Sequence, residues 1–244
     1  MIQIHYHQFV IGIVVTNKFY GINLDITYLC SLKCAGCARQ RYTDGLNGFE
    51  NHVTGGPVPG KHMSMEEMDV VSDYFQGITF CGTHSDPQFH PQFHEFLQMC
   101  VNKKKTIQVH VAATARKSSW FTKAFQISRG HDVEWVFGID GKPEDSHIYR
   151  KNQNGKFLYN MMIRCASMGI KTTWHYIIFN YNEHYIEECV KDAERRNISF
   201  VRIESCRWWT EELLQLKPNT SYVDEDELGK KRSVSIVNNQ SRLI

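Results

Sequence analysis

The sequence lacks any apolar run of the length that a membrane span requires. A spanning helix needs about 20 consecutive apolar residues, and the stretch from Phe9 to Val15 is far shorter. The charged start and the small-residue cleavage site of a signal peptide are missing too. These absences predict a cytoplasmic protein with no membrane partner.

The chain also has little excess charge of either sign. Its formal net charge is +2, so there is no strong electrostatic case for nucleic acid as the main partner. Hydrophobic residues make up 42% of the 244 positions. That proportion and length are ordinary for a globular protein with one sizeable domain.

Strand and helix patterns alternate along the chain. Strand patterns cover residues 21–28, 77–81, 106–113, 133–139, 171–179 and 198–203. Helix patterns cover residues 64–74, 91–101, 119–127, 156–167 and 183–195. Ser64 and Glu67 have the spacing of a capping box, and Gly169 is placed to end a helix. Six strands with helices between them predict an α/β fold, a partial (β/α)6 TIM-like barrel of parallel strands.

This pattern divides the chain into three parts. Residues 1–19 form an N-terminal extension without a clear element type, residues 20–204 form the core, and residues 205–244 form a C-terminal tail. Within the core, residues 41–62 are a long loop rich in Gly and Pro. The tail is expected to hold a short helix near residues 210–216 and then polar residues. Its Trp208 and Trp209 either pack against the core or line a substrate mouth.

Three of the eight cysteines, Cys30, Cys34 and Cys37, lie within eight residues, directly after the first predicted strand. Their C-x3-C-x2-C spacing favours metal binding over disulfides in a reducing compartment. Three thiolates can hold three irons of a [4Fe–4S] cluster and leave the fourth iron open to another ligand. The alternative is a zinc site, but zinc usually takes four ligands as two separated pairs, and no second pair is present.

The cysteine triad, its place after the first strand and the alternation behind it resemble the radical S-adenosylmethionine (SAM) superfamily over about residues 20–203. The resemblance implies two cofactors, a [4Fe–4S] cluster and SAM. It implies that the open iron binds the amino and carboxylate groups of SAM. Reductive cleavage then gives methionine and a 5′-deoxyadenosyl radical, which abstracts hydrogen from a substrate. A flavodoxin- or ferredoxin-like protein is the expected reductant.

A second part of the resemblance follows the second strand, where the family often carries Gly-Gly-Glu-Pro and then His-Pro. Here Asp86-Pro87 and His90-Pro91 occupy those positions, while His84 and Ser85 replace both glycines. The resemblance implies SAM contacts at Ser85 and Asp86. The alternative for Asp86 is a turn residue before proline. His90 and His94 have metal-like spacing, but they are expected at the start and on the surface of a helix.

A third part follows the fourth and fifth strands. Gly138-Ile-Asp140-Gly and the residues up to Arg150 resemble the Ser-Ile-Asp-Gly…His-Asp-x-x-Arg stretch of peptide-modifying members. The resemblance implies SAM contacts at Asp140 and Asn182, with Gly138 in place of the family's serine. Asn182 is equally a good N-cap for the helix that follows.

The substrate is left open by these motifs. A peptide or protein side chain is the first expectation, and the alternatives are a nucleotide or metabolite, or an activating role that places a glycyl radical on a partner. A non-catalytic zinc- or cluster-binding module is the alternative of another class. Gly36 stands where the family often has an aromatic residue beside adenine. Only Cys206 follows the core, so a cysteine-rich C-terminal extension is missing.

Overall fold

The computed structural model describes residues 12–16, 19–37, 39, 60–82, 84–204, 211–220, 224–225, 231–232 and 234–238. Their contacts group them into two compact units. The first unit contains the described residues up to Ser31 and those from Cys37 to Trp135. The second unit contains residues 32–36 and the described residues from Val136 onward.

Strands and helices alternate as the sequence predicts. The strands are β1 (Gly12–Thr16), β2 (Phe19–Leu24), β3 (Gly77–Phe80), β4 (Thr106–Val111), β5 (Val133–Gly138), β6 (Lys171–Ile178), β7 (Ser199–Glu204), β8 (Asp224–Glu225), β9 (Lys231–Arg232) and β10 (Val234–Asn238). The α-helices are α1 (Met65–Tyr74), α2 (Phe93–Asn102), α3 (Ser118–Ser128), α4 (Gly155–Ser167), α5 (Ile186–Arg195) and α6 (Glu211–Gln215). The six strands β2–β7 confirm an α/β fold with fewer parallel strands than the eight of a full barrel.

The sheet of the first unit runs in the order β1-β2-β3-β4-β5. Strand β1 is antiparallel to β2, whereas β2, β3 and β4 are parallel to one another. The N-terminal extension therefore contributes an edge strand, which its sequence pattern did not indicate. Because β1 takes up the hydrogen-bonding groups along one side of β2, it covers an edge that would otherwise be exposed.

The sheet of the second unit runs from β5 through β6 and β7 to β10. Strands β6 and β7 are parallel, and β10 is antiparallel to β7 with an irregularity between Ile236 and Asn238. The tail thus adds a strand where the sequence predicted only polar residues. Helix α6 agrees with the short helix expected near residues 210–216, whereas Trp208, Trp209 and most of the loop at 41–62 lie outside the described residues. The division at 19/20 and 204/205 stays a prediction.

The core of the first unit lies between the sheet and helices α2 and α3. Trp135 is fully buried, with its ring centroid 4.9 Å from that of Phe125, and the rings of Phe80 and Phe93 are 5.6 Å apart. Burying one side chain of this size stabilises the fold by about 1.5–3 kcal/mol. No helix within the described residues combines the length and apolarity needed to cross a membrane.

Two of the helix signals are confirmed, whereas the predicted start at Pro91 of the helix over residues 91–101 is wrong. Ser64 Oγ accepts a hydrogen bond from Glu67 N, and Glu67 Oε2 accepts one from Ser64 N, which completes the capping box before α1. Gly169 follows α4 with φ of +75°, a conformation that favours glycine. Pro91, however, does not open a helix. The proline at a first helical position is Pro87, in a short 3₁₀ helix (Pro87–Phe89), and α2 begins later at Phe93.

Candidate active site

The cysteine segment follows β2 and has neither strand nor helix from Asp25 to Cys37. Cys34 is buried, and Cys30 and Cys37 are half-buried. All seven described cysteines are thiols rather than disulfides, while Cys206 lies outside the described residues. Within the second unit, Lys33 N donates to Lys151 O at 3.2 Å, which fixes this part of the segment against the chain that follows β5.

No three His, Cys, Asp or Glu side chains of the described residues converge on a point that one metal ion would occupy. Thiolates of a cubane cluster bind different iron atoms, so they need not converge in that way. The donor set itself, three thiols on one short segment free of disulfides, fits a cluster with one open iron.

Arg39 is a cation two residues beyond Cys37. Its Nη1 donates to the backbone oxygens of Tyr28 and His84, the second at 3.2 Å. These two bonds tie the cysteine segment to the turn after β3 inside the first unit. Lys33 and Arg39 are two cations close in sequence to the thiols, where a positive charge would offset the negative charge of a cluster. Lys33 is exposed, so Arg39 is the better placed of the two.

The turn after β3 is built around Gly82. A Cβ there would lie 2.0 Å from the Ser85 carbonyl oxygen, so only glycine allows this approach. Ser85 Oγ donates to Asp25 Oδ1 at 2.5 Å, and the two acids near the turn, Asp25 and then Asp86, help to raise the pKa of Cys81 to about 11 after the larger effect of burial. Gly82 thus allows a close approach of the backbone in a segment where His84 and Ser85 replace the two glycines of the family pattern.

Asp86 is almost fully buried, with 4% of its surface exposed. Its Oδ2 accepts hydrogen bonds from Ala112 N at 2.9 Å and Ala113 N at 2.8 Å, and its Oδ1 accepts one from Gln88 N. The carboxylate therefore caps the 3₁₀ helix and joins the turn after β3 to the end of β4. This supports the turn-residue interpretation, while a SAM contact at Asp86 or Ser85 stays a prediction.

His90 and His94 have separate structural partners. His90 is buried, with Nε2 2.9 Å from Met63 O and Nδ1 accepting from Gln92 N. Burial lowers the pKa of His90, which fits a neutral ring held by these two bonds. His94 Nε2 lies 3.0 Å from Trp120 O. His90 therefore precedes α2 as expected, but it is a core residue.

In the second unit, Asp140 follows β5 and is fully buried. Its Oδ2 lies 2.6 Å from Arg150 Nε, and its Oδ1 accepts a hydrogen bond from Ile177 N at 2.8 Å. Burial lowers the pKa of Arg150, but the charge of Asp140 and then that of Cys34 raise it by more, so the guanidinium stays protonated. Asp140 thus fixes the positive charge of Arg150, which interacts electrostatically with Cys34.

Gly138 makes room for that cation. A Cβ at this position would lie 2.8 Å from Arg150 Nη2 and 2.9 Å from Cζ. The serine of the family pattern would place atoms in the same volume. The lack of a side chain at Gly138 therefore makes room for the Arg150 guanidinium. This is a physical reason for glycine, rather than the family's serine, at position 138.

Gly36 has a similar relationship with Tyr149. A Cβ at Gly36 would lie 2.9 Å from the Tyr149 hydroxyl oxygen and 3.5 Å from Leu213 Cδ2. The ring of Tyr149 packs on Phe179 with centroids 4.5 Å apart, and Phe179 stacks on Tyr181 at 5.6 Å. Gly36 thus lacks the aromatic side chain of the family pattern, but it lies beside aromatic rings from other parts of the second unit, those of Tyr149, Phe179 and Tyr181.

Asn182 is fully buried beside the end of β6. Its Oδ1 accepts a hydrogen bond from Phe179 N at 2.8 Å, and its Nδ2 donates to Ile177 O at 3.0 Å. Asn182 precedes a 3₁₀ helix (Glu183–Tyr185), but its side chain makes no capping hydrogen bond there. It fixes the loop after β6 instead, and a SAM contact at Asn182 stays a prediction, as it does at Asp140.

The fold is that of radical SAM enzymes. It is similar to Streptococcus suis SuiB bound to S-adenosylmethionine (TM-score 0.59, 12% identity, 81% of this chain and 43% of that chain). It is also similar to TYW1 with a lysine–pyruvate adduct bound (TM-score 0.52, 13% identity, 91% of this chain and 80% of that chain). A third similar structure is native anSMEcpe with bound AdoMet (TM-score 0.51, 14% identity, 74% of this chain and 50% of that chain).

These identities show a shared fold, and the chain spans less than half the length of SuiB. No protein-family model matches the sequence, and no curated protein matches it. The structure also assigns positions to residues that the sequence patterns passed over, namely Asp25, Gly82 and Tyr149. Asp25 carried no usable signal, because it lies inside the strand predicted over residues 21–28; the structure ends β2 at Leu24 and thereby places this acid directly after a strand. Gly82 and Tyr149 carried none, because their importance depends on the residues opposite them.

Proposed function

We propose that the protein is a radical SAM enzyme that holds one [4Fe–4S] cluster through Cys30, Cys34 and Cys37. The observation that carries the proposal is the thiol triad on the segment after β2, in a fold shared with structures that bind SAM. Neither the thiol triad nor the fold is sufficient alone, because one fold hosts many functions and three thiols can bind other metals. When bound, the cluster would supply the electron that cleaves SAM and begins radical chemistry on a substrate.

The protein's own charges support a negatively charged cluster at this segment. Arg39 lies two residues beyond Cys37, and Arg150 is held by Asp140 in the unit that contains Cys34. A cation beside a cysteine favours its thiolate, the form that binds iron. The two guanidiniums would therefore stabilise the ligated state.

SAM would be held by polar groups at the ends of parallel strands, where such folds carry their sites. Ser85 is fixed by Asp25, and Asp86 fixes the turn that presents it. In the second unit, Asp140 and Asn182 shape the loops after β5 and β6. Since most of their polar atoms already bond to the protein, we infer that these residues mainly position backbone atoms for SAM.

A peptide or protein side chain is the proposed substrate. SuiB has been seen bound to its precursor peptide SuiA, with a TM-score of 0.55 to this chain at 13% identity over 82% of it. We propose a cytoplasmic enzyme reduced by a flavodoxin- or ferredoxin-like protein, since the cluster needs an electron donor. An activating or metabolite-modifying role is the alternative within the same class of enzyme. A non-catalytic metal module is the outcome that the following experiment separates from a radical SAM enzyme.

The test is anaerobic reconstitution of the full chain with iron, sulfide, SAM and a reductant. We expect about four iron and four sulfide per chain, and formation of 5′-deoxyadenosine. Cys34→Ala should abolish both, whereas Cys100→Ala, at a buried thiol far along the chain in α2, should retain them. One zinc per chain, or a complete cluster that yields no SAM cleavage product, would overturn the proposal.

A further inference from the structure

Helix α6 in the tail of the second unit is short, but it is held in place by several contacts. A helix of five residues is not stable by itself. Asn180, after β6, donates from Nδ2 to Gln215 O at 2.6 Å and from its backbone N to Leu216 O at 3.0 Å. The chain after α6 is fixed as well, since Asn219 N donates to the Glu183 carboxylate at 3.1 Å. The tail is therefore anchored to the loop that follows β6.

One side chain of α6 packs on the cysteine segment. Leu213 is 1% exposed, and its Cδ2 lies 3.5 Å from the position that a Cβ would take at Gly36. Gly36 is buried and stands two residues beyond Cys34. The next residue of α6, Leu214, is 56% exposed. The helix thus directs one leucine toward the segment that carries the thiol and the other toward solvent.

The loop after β5 joins α6 to the cysteine segment a second time. Lys151 Nζ forms an ion pair with Glu212 of α6, and Lys151 O accepts a hydrogen bond from Lys33 N at 3.2 Å. Tyr149 of the same loop has its hydroxyl oxygen 2.9 Å from the position of a Cβ at Gly36. Three parts of the second unit that are distant in sequence therefore meet around Gly36.

Solvent access determines how a bound cluster behaves. The reduction potential of an iron–sulfur cluster depends on its exposure to solvent, and the reactivity of a thiol depends on access to it. Cys34 is 8% exposed and Leu32 is 7% exposed, so this part of the cysteine segment is largely shielded in the folded chain. Because α6 packs on the same segment at Gly36, it contributes to that shielding.

We infer that Leu213 is a positioning residue, which holds α6 over residues 32–36 and keeps water and chelators from the Cys34 side of the cluster. Helix α6 is then a wall of the active site rather than an appendage of the core. This inference rests on the proposed radical SAM function, because it gives the tail a role in retaining that enzyme's cluster. Local opening of so short a helix is the step that would expose the cluster.

The first test is an anaerobic challenge of the reconstituted full chain with EDTA, followed by the loss of visible absorbance. Leu213→Ala leaves a space beside Gly36 and favours opening of α6, so the cluster should be lost at least about tenfold faster than in wild type. Leu214→Ala, at the exposed neighbour, is the matched control and should keep the wild-type rate. Leu213→Met restores most of the volume and should restore most of the protection. A wild-type rate in Leu213→Ala would overturn the inference.

A second measurement separates this local cover from a general loss of stability. Leu158→Ala removes a fully buried leucine from α4, which packs on β6, and should also lower the unfolding midpoint. Only Leu213→Ala should shift the reduction potential of the cluster to a more positive value, because water stabilises the more negative reduced cluster. Equal shifts in the two variants would contradict the inference.

A different variant serves if Leu213→Ala fails to fold. Asn180→Ala removes the hydrogen bond to Gln215 O and leaves Leu213 in place. EDTA should then remove the cluster severalfold faster than from wild type, since one anchor of α6 is missing. An unchanged rate in the folded Asn180→Ala variant would overturn the inference in that case.

The inference and the proposed function fail in different ways. In the cluster-free full chain, iodoacetamide should label Cys34 faster in Leu213→Ala than in wild type and Cys100 equally in both, since α6 packs on the segment of Cys34. That result in a protein that forms no cluster or cleaves no SAM would remove the function and leave the cover. A wild type that cleaves SAM, with cluster loss and Cys34 labelling unaffected by Leu213→Ala, would remove the inference alone.

Discussion

Arg150 and Gly138 share one volume in the second unit. The guanidinium lies where a side chain at position 138 would project, and a Cβ there would be 2.8 Å from Nη2. Asp140 fixes the guanidinium in that place through a 2.6 Å contact with Nε. The replacement of the family's serine by Gly138 is therefore linked to the ion pair between Asp140 and Arg150.

The Asp140–Arg150 pair should be important for stability because the carboxylate is fully buried. Asp140→Asn leaves a guanidinium without its counter-charge, and breaking a buried pair costs about 3–5 kcal/mol. Urea denaturation should show this as a fall in the free energy of unfolding. Glu188→Gln breaks the exposed Lys142–Glu188 pair of the same unit and should cost less than about 1 kcal/mol. Equal losses in the two variants would contradict the structure.

Gly138→Ala should be destabilising because the added methyl group overlaps the Arg150 guanidinium. Overpacking of this kind typically costs about 1–3 kcal/mol. Gly21→Ala is the control, since among the described side chains and backbone a Cβ at that strand position meets Gly77 O alone, at 3.8 Å. Thermal denaturation should show a lower midpoint for the first variant and a nearly unchanged one for the second. In the double variant Gly138→Ala with Arg150→Ala, the cost of the methyl group should largely disappear.

Three buried thiols should resist alkylation in the folded chain. Burial raises the pKa of Cys100 and of Cys189 to about 12, and it raises the pKa of Cys165 as well. A thiol with a pKa of about 12 has about one thiolate in 10⁴ molecules at pH 8, and the thiolate is the reactive form. Iodoacetamide followed by peptide mass spectrometry should therefore modify Cys100 and Cys189 far more slowly in native protein than in urea.

The rate should also rise about tenfold for each pH unit below the pKa, because the thiolate fraction does so. The half-buried Cys30 and Cys37 should be modified first in cluster-free protein. Rapid labelling of Cys100 or Cys189 at pH 8 in a folded sample would show that those thiols are not buried as described.

Asp192 should make the stability of the protein depend on pH. Burial raises the pKa of Asp192, but the hydrogen bond from the Tyr159 hydroxyl and those from Arg196 and Arg195 lower it by more. A depressed folded-state pKa adds stability above the unfolded value of about 3.9, and this is lost as the pH falls through the folded value. Asp192→Asn should thus lower the free energy of unfolding by about 1.5–3 kcal/mol at pH 7, the range for bonds to a charged group.

The difference between wild type and Asp192→Asn should shrink as the pH falls below the unfolded-state pKa of about 3.9, because the Asp192 carboxylate is then progressively protonated. Denaturation curves at pH 7, 4 and 2 measure it. Glu194→Gln, at an exposed position on the same helix, should show a small and pH-independent difference. A loss in Asp192→Asn that stays constant down to pH 2 would mean that the carboxylate charge is not what stabilises the pair.

The sequence by itself determined the alternation of strands and helices, the capping box at Ser64 and the thiol triad. These are local properties, since period, turn residues and cysteine spacing act over a few neighbouring positions. It did not determine strands β1 and β10, because their pairing partners β2 and β7 are selected by the edges of the folded sheet. The start of α2 was misplaced at Pro91 because the chain first turns through a 3₁₀ helix capped by Asp86.

The same division holds for the candidate site. The resemblance to a known family singled out Asp86, Asp140 and Asn182 in the sequence, but their hydrogen bonds to Ala112, Ile177 and Phe179 depend on parts of the chain that folding brings together. Only the tertiary structure shows that Gly138 accommodates Arg150 and that Gly36 accommodates Tyr149. A glycine is informative only through what occupies the space beside it, and that neighbour is distant in sequence. The thiol triad is a local feature that the sequence shows directly, whereas the packing around it depends on residues that only folding brings together.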